Sequence, residues 1–403
     1  MTEQSAKRPF SPNDLSACPA CSGVSFPLDY RVDKIPTNSV RILRSKTAAA
    51  DVATADMELL ACTACGFVWN AKFDPAQVDY SSDYEATQAF SGTYSRFLQA
   101  QAREFAQAHG LQRKTIIEIG CGHGEFLAAL CEAGENTGIG FDPAFSADRA
   151  PAISRGSYEV RTRMFNERTR LPDADFICCR NTLEHIQDVG DFLRALRAAI
   201  GSQGDPIVFF QVPSWERIAK EGAFWDVYYE HCSYFTAKSL RALFEMNGFE
   251  VSTCELSYGD QYLTLLARPA LNGPSPSPRA GCDRLAHQQS GNRLNAQVET
   301  WSKQLSAAAS DSKRTVLWVG GSKAVALLTT CGDRIAVDGV VDINPHKNGT
   351  FLPLSAHRVM APEELPALRP DRIIILNPIY SREIRAQLAE LDIHTEVLEL
   401  GAA

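Results

Sequence analysis

No stretch of about 18 uninterrupted apolar residues occurs in the chain, and the N-terminal stretch Met1 to Asp14 is polar. A membrane span and an export signal both need apolar runs, so neither anchoring nor secretion is expected. An excess of positive charge is missing too: 40 Lys and Arg stand against 48 Asp and Glu, a formal net charge of -8. A basic face for nucleic acid or an anionic membrane would have to be built against that balance, so neither partner is expected. No internal repeat of ~20–50 residues is present, which excludes a solenoid. What is there is ordinary globular material: 403 residues, 45% hydrophobic and 22% charged, enough for two or three domains with cores of their own. The 12 cysteines include two C-x-x-C pairs. In a chain of this size without an export signal they read as reduced thiols of a cytoplasmic protein rather than a disulfide scaffold.

Alternating prolines in Leu271-Asn-Gly-Pro-Ser-Pro-Ser-Pro278 forbid a continuing helix or central strand and mark a linker. Before it, apolar runs at Ile116–Ile119, Thr137–Phe141, Phe176–Cys179, Ile207–Gln211 and Tyr262–Ala267 alternate with stretches at helical spacing. That alternation predicts an α/β domain with a largely parallel, doubly wound sheet. After the linker, Asp283 to Ala309 reads as helix, and Thr315–Val319, Val337–Val341 and Arg372–Leu376 read as strands separated by helices. They predict a second, smaller Rossmann-like unit. Tyr84 to His109 reads as a helical bridge into the central domain. The expected division is residues 1–80, 81–270 and 283–403.

Thr115-Ile-Ile-Glu-Ile-Gly-Cys-Gly-His-Gly-Glu-Phe-Leu127 is a buried strand running into glycines and then a helix with Phe126, Leu127 and Leu130 on its inner face. Glycines let a ligand approach the backbone closely, and the helix N-terminus offers free N–H groups. The next strand ends in Gly138-Ile-Gly-Phe-Asp-Pro143. It sets Asp142 about 20 residues after the loop, where an acidic side chain bonds ribose hydroxyls. A dinucleotide site shares this layout, but G-x-G-x-x-G needs glycine where Glu125 stands. Glu118, two residues before the first glycine, and the later strand Asp175 to Ile186 resemble the class I S-adenosylmethionine (SAM)-dependent methyltransferase pattern. The resemblance implies SAM held among Glu118, Gly120, Cys121, Gly122, Gly124, Phe126, Asp142, Pro143, Arg180 and Asn181.

Cys18-Pro-Ala-Cys21 and Cys62-Thr-Ala-Cys65 are knuckles whose spacing lets both thiolates of each pair reach one tetrahedral metal. Four cysteines leave no position for a catalytic water, so the expected ion is a structural Zn2+. So short an N-terminal segment has too little apolar material to fold alone. Cys178, Cys179 and Cys331 fall in apolar strands or helices and are expected as small core residues.

Phe224-Trp-Asp-Val-Tyr-Tyr-Glu-His-Cys-Ser-Tyr-Phe235 follows the strand Ile207–Pro213 and is expected to open at the carboxyl edge of the sheet, beside the cofactor. His231 suits a general base near neutral pH, with Tyr228, Tyr229 or Glu230 positioning a proton, and His185 is expected at the same edge. Methyl transfer to an amine or hydroxyl needs modest deprotonation. Transfer to carbon requires a carbanion made by removing a proton next to a carbonyl, which a histidine with a polarising tyrosine suits.

Together with Tyr80-Ser-Ser-Asp-Tyr-Glu85, Asn181–Ile186 and Val341-Asp-Ile-Asn-Pro-His-Lys-Asn-Gly349, these motifs resemble the sugar C-methyltransferase family of deoxysugar and surface-polysaccharide pathways. The resemblance implies a class I SAM-methyltransferase Rossmann-like domain, preceded by a small zinc-binding module and followed by a second Rossmann-like domain. It implies methylation of carbon 3 of a nucleotide-linked 4-keto-deoxysugar: His231 removes the proton, Tyr228, Glu230 and His185 line the sugar pocket, and Tyr84 or Tyr80 closes it. Characterised sugar enzymes carry Asn-Asp-Gly after the loop cysteine, where this chain has Gly122-His123-Gly124. The acceptor therefore stays open between a nucleotide sugar and another small molecule with an acidic C–H. Val319-Gly-Gly-Ser-Lys-Ala324 either holds a pyrophosphate through N–H groups and Lys323 or is a turn without a ligand. O- or N-methyl transfer, and a binding or scaffold role without turnover, are the alternatives. The sequence names neither the nucleotide nor an oligomeric state.

Overall fold

The computed structural model describes residues 17–80, 83–201, 204–276, 284–310 and 313–401, with backbone alone at 307–310 and 333. The polar stretch Met1 to Asp14, Ser81 and Ser82 of the tyrosine motif, and the end of the proline linker at Ser277–Pro278 lie outside the described residues. Three sheets organise the rest. In the central seven-stranded sheet, strands 207–213, 176–180, 115–119, 137–141 and 157–161 run side by side in parallel, and 262–269 and 249–257 complete one edge antiparallel. The chain reverses direction across the sheet between Thr115–Ile119 and Phe176–Arg180. The carboxyl ends of those two strands therefore frame a crevice at the switch point, where open α/β sheets bind ligands.

The C-terminal sheet is all parallel, in the order 359–360, 339–341, 315–318, 372–375, 396–399. Its own switch point falls at Val319–Lys323. The N-terminal sheet is antiparallel, formed by Ser25–Pro36, Thr54–Cys62 and Val68–Asn70. Its fourth strand, Ser233–Tyr234, comes from the segment that carries His231 and pairs through Val68 with Tyr234 and Trp69 with Ser233. The helix Arg284–Ser310 lies against strand Ser25–Pro36 so closely that a Cβ on Gly291 would stand 1.6 Å from the Leu28 carbonyl oxygen. One apolar core runs from Phe26 and Leu59 through Trp215, Trp225 and Leu294 to Leu317 and Ile374, joining all three parts of the chain.

The predicted bridging helix starts later than its sequence suggests. Residues Tyr84 to Ser91 are irregular, and the helix is Gly92–Ala108, capped by the Ser91 hydroxyl accepting from Tyr94 N–H. Glu383 of the C-terminal domain also accepts from Gly92 N–H at 3.0 Å, Thr93 N–H at 3.1 Å and the Ser91 hydroxyl at 2.8 Å. A carboxylate among the first N–H groups stabilises a helix start, so a distant residue fixes the boundary. No helix among the described residues is long and apolar enough to cross a membrane.

Candidate active site

The strand Thr115–Ile119 delivers Gly120 to the crevice with φ +69°, where a Cβ would stand 2.0 Å from the Thr182 Oγ1. Gly120 N–H bonds the Phe141 carbonyl at 2.8 Å, and Gly122 N–H bonds Oδ2 of Asp142 at 2.8 Å. Ala144 N–H bonds the other Asp142 oxygen at 2.8 Å. The loop and the end of the neighbouring strand are therefore one hydrogen-bonded unit. Helix Glu125–Gly134 begins at Gly124 with no side-chain cap, which leaves its first N–H groups open to a ligand. A cavity of about 630 Å³ opens here, lined by Glu118, Gly120, Cys121, Gly122, Phe126, Asp142, Pro143, Arg180 and Asn181. Of the residues expected to hold SAM, Gly124 alone is not in the wall; it is the helix cap behind it.

Polar atoms without partners face this cavity. Arg180 is buried with its guanidinium 4.2 Å above the Phe126 ring centroid, and neither Nε nor Nη2 has a hydrogen-bond partner. Glu118 is buried with Oε2 unpartnered, and burial pushes its carboxyl up to about 8 against the pull of Arg180. Unsatisfied buried charge is costly and rare. A zwitterionic amino acid end, with one carboxylate and one ammonium, satisfies both groups.

A second cavity, about 250 Å³, lies between the central and C-terminal domains and shares Tyr84, Ala86, Thr87, Gln88, Asn181 and His185 with the first. The irregular segment from Tyr84 is thus the partition between them. His185 stands in a single helical turn, Leu183–His185, and His231 in the bend after Phe224–Asp226. Their ring centroids are 4.7 Å apart at 88°, and the Tyr228 ring packs on His231 at 4.1 Å. Tyr80 OH is 3.0 Å from Nδ1 of His185, and the Tyr84 ring lies 5.2 Å from that of Tyr80. Both tyrosines left open by the sequence therefore reach the cluster. Burial lowers His231 well below the usual histidine range, with His185 and Lys323 adding to it, and burial pushes His185 down to about 4. Both rings are neutral near pH 7. Burial also raises the Tyr84 and Tyr228 phenols, which stay protonated as donors. Glu230 does not reach the cavity: fully buried behind it, its Oε1 accepts from Ser39 N–H at 2.9 Å and from the Ser39 hydroxyl.

The far wall comes from the C-terminal domain: Gly321, Ser322 and Lys323, weighed in the sequence as a pyrophosphate turn, and Asp342, Asn344 and Lys347, which carried no role there. Lys323 pairs with Asp226, which Arg217 also holds, and Lys347 lies 3.3 Å from Asp342. Glu85 ties the two domains together by pairing with Arg149 and accepting from Asn344 Nδ2 at 3.1 Å. The motif Val341–Gly349 was a sequence signal for Asp342, Asn344 and Lys347, without a chemistry attached. Away from both cavities, the Sγ of Cys18 is 3.8 Å from that of Cys65, and Cys21 Sγ is 3.5 Å from those of Cys62 and Cys65. Four sulfurs about 2.3 Å from one Zn2+ stand about 3.8 Å apart at tetrahedral angles, so the donor set fits that ion. Cys178, Cys179 and Cys331 are buried among apolar side chains.

Residues 90–253 match the family described as "Methyltransferase domain", and residues 280–395 match "C-methyltransferase C-terminal domain". The chain is a SAM-dependent methyltransferase with a C-methyltransferase C-terminal domain. The C-methyltransferase NovU of Streptomyces niveus is similar to it, 26% identical over 310 residues that cover 71% of this chain and 70% of NovU. Two solved structures are also similar. A SAM-dependent methyltransferase from Aquifex aeolicus has 16% identity and TM-score 0.34, covering 49% of this chain and 100% of that one. The magnesium protoporphyrin IX methyltransferase ChlM of Synechocystis PCC 6803 has 13% identity and TM-score 0.34, covering 44% and 84%. A methyltransferase needs room for a donor and for an acceptor, and the 630 Å³ crevice and the 250 Å³ cavity beyond the Tyr84 partition offer two such spaces, a candidate cofactor cavity and a candidate acceptor cavity.

Proposed function

We propose that the acceptor is a nucleotide-activated keto-deoxysugar, methylated at a carbon next to its carbonyl, with His231 as the base. The observation that carries this reading is a buried, neutral imidazole at the acceptor cavity, packed on a protonated phenol. A neutral histidine takes a proton from an acidic C–H, and Tyr228 or Tyr84 donates to the oxygen on which the enolate charge collects. SAM supplies the electrophilic methyl group. Arg180 and Glu118 hold the ends of its amino acid, Asp142 takes the ribose hydroxyls, and Phe126 backs the guanidinium. The carbon keeps the C–H electron pair, attacks the methyl, and the S–CH3 pair leaves on sulfur. Lys323, Lys347 and the open helix start at Ser322 give the far wall of the acceptor cavity cationic groups for a diphosphate. The test is a panel of nucleoside-diphosphate keto-deoxysugars with a 13C-labelled methyl donor. The expected product carries its label on carbon by NMR, and an O-bound methyl, or no turnover across the panel, contradicts the reading.

Arg180→Gln is expected to weaken S-adenosylhomocysteine binding by about 10- to 100-fold in calorimetric titration, the worth of a charged hydrogen bond to a carboxylate. An affinity within experimental error of wild type would remove Arg180 from the cofactor site.

The same proposal assigns Cys18, Cys21, Cys62 and Cys65 to a structural Zn2+ and divides the chain into a zinc module (1–80), a SAM domain (81–270) and a C-terminal domain (283–403). Val68–Asn70, just after the last knuckle, pairs with Ser233–Tyr234, and Asn70 N–H bonds the Cys232 carbonyl at 3.0 Å. The module therefore holds the segment that bears His231. Cys62→Ser is expected to lose zinc by elemental analysis and to lower methyl transfer while S-adenosylhomocysteine still binds. Wild-type protein without zinc and with full activity would contradict the assignment.

A further inference from the structure

Three carboxyls face the Tyr228 ring that packs on His231: Asp226, Glu230 and Glu184. Asp226 is held by Lys323 and Arg217, and Glu230 by Ser39. Glu184 is 1% exposed, lines the acceptor cavity, and has no hydrogen bond of ordinary length at either carboxyl oxygen, the Asn181 side chain being the polar neighbour that favours its charged form. One of its oxygens and one ring nitrogen each of His185 and His231 all lie within 4.8 Å of one another. Tyr80 occupies Nδ1 of His185, whereas Nδ1 of His231 has no partner. A buried carboxyl and a buried imidazole, both unsatisfied and side by side, need an explanation.

His231 also lacks any other counter-charge. When it takes a proton it becomes a buried cation, which His185 and Lys323 disfavour, while the Tyr228 phenol packed on its ring stays protonated and offers no charge. We infer that Glu184 is the positioning residue that supplies this counter-charge: the proton passes from the acceptor carbon to His231 and on to the Glu184 carboxylate, while the electron pair of the C–H bond stays on carbon as the enolate. This rests on the reading of His231 as base. The sequence presented Glu184 inside the Leu183-Glu-His185 stretch, where the adjacent histidine drew the assignment.

The sign of the pH dependence follows. Glu184 receives a proton only when ionised, and burial pushes it up to about 8. The other groups facing it, the phenols of Tyr80, Tyr84 and Tyr228 and the thiols of Cys179 and Cys232, are all raised in pKa mainly by burial and stay neutral. Proton removal should therefore rise with pH along a limb near 8 and be lost below it.

The experiment follows deuterium wash-in from solvent to a nucleoside-diphosphate 4-keto-deoxysugar across pH 6–10, with S-adenosylhomocysteine bound. Glu184→Gln is expected to lose the limb and about 100-fold or more of the exchange at high pH, and Glu184→Asp to keep the limb. A Glu184→Gln enzyme with the wild-type limb, at full or reduced rate, overturns the inference while leaving His231 as base. A His231→Ala enzyme that still exchanges overturns both. Without any acceptor, 15N NMR of labelled histidine gives a second readout. The His231 ring signals should inflect near the same midpoint in wild type and not in Glu184→Gln, and an inflection unchanged by the substitution overturns the coupling. Uptake of a second divalent ion per chain, lost in Glu184→Gln, also overturns it, because a metal-bound His231 is not free to take a proton.

Discussion

His231→Ala is expected to lower methyl transfer by about 10²- to 10⁴-fold, the usual worth of a general base, with S-adenosylhomocysteine affinity unchanged within about twofold. The separation of effects comes from geometry. His231 lines the acceptor cavity and is absent from the wall of the cofactor cavity, so its loss removes the base without touching the donor site. His185 does not replace it: that ring borders both cavities and its Nδ1 is taken up by the Tyr80 hydroxyl. Steady-state kinetics with calorimetric titration checks both halves. Equal losses of turnover and of cofactor affinity would mean that His231 supports the fold of the site instead.

Gly120→Ala is expected to raise the dissociation constant for S-adenosylhomocysteine by more than about 100-fold. Two costs add. A left-handed backbone at φ +69° costs a residue with a Cβ about 1–2 kcal/mol. The larger cost is a collision, since the new methyl would stand 2.0 Å from Thr182 Oγ1 and 2.8 Å from its Cβ. Thr182 is bonded to the Arg180 carbonyl at 3.0 Å, so moving it carries Arg180 and Asn181, the opposite wall of the cofactor cavity, out of place. Gly110→Ala separates the costs, because Gly110 also has a positive φ, +61°, but no atom within 4 Å of its Cβ. It should lower the melting temperature modestly and leave binding intact. Similar binding losses in both variants would refute the collision.

The parallel strands of the central sheet were legible because they are buried on both faces and read as continuous apolar runs, as in Ile116–Ile119 and Phe176–Cys179. The edge strand Ser157–Arg161 was not, since its side chains are half-buried or exposed and carry no such run. Tyr84 to Ser91 read as helix by local pattern, yet those residues partition two cavities, and Glu383, far along the chain, sets the true helix start at Gly92. Long-range pairing also hid the acceptor wall. Glu85 and Asn344 are 259 residues apart, and no periodicity connects them. The two histidines were found because strand ends in a doubly wound sheet converge on one edge, a rule that places backbone. Which carboxyl stands free beside them depends on the side chains of Ser39, Lys323 and Arg217, contributed by three separate segments.

The most direct test of proton abstraction from carbon by His231 is solvent deuterium exchange without methyl transfer. Wild-type and His231→Ala protein, each saturated with S-adenosylhomocysteine, are incubated in D2O at pH 9 with a keto-deoxysugar nucleotide that the wild type methylates, and the acceptor carbon is followed by NMR. Deuterium entering that carbon with wild type and not with His231→Ala is the predicted result. Exchange that persists in His231→Ala, or none in a wild-type enzyme that methylates the same compound, would contradict it.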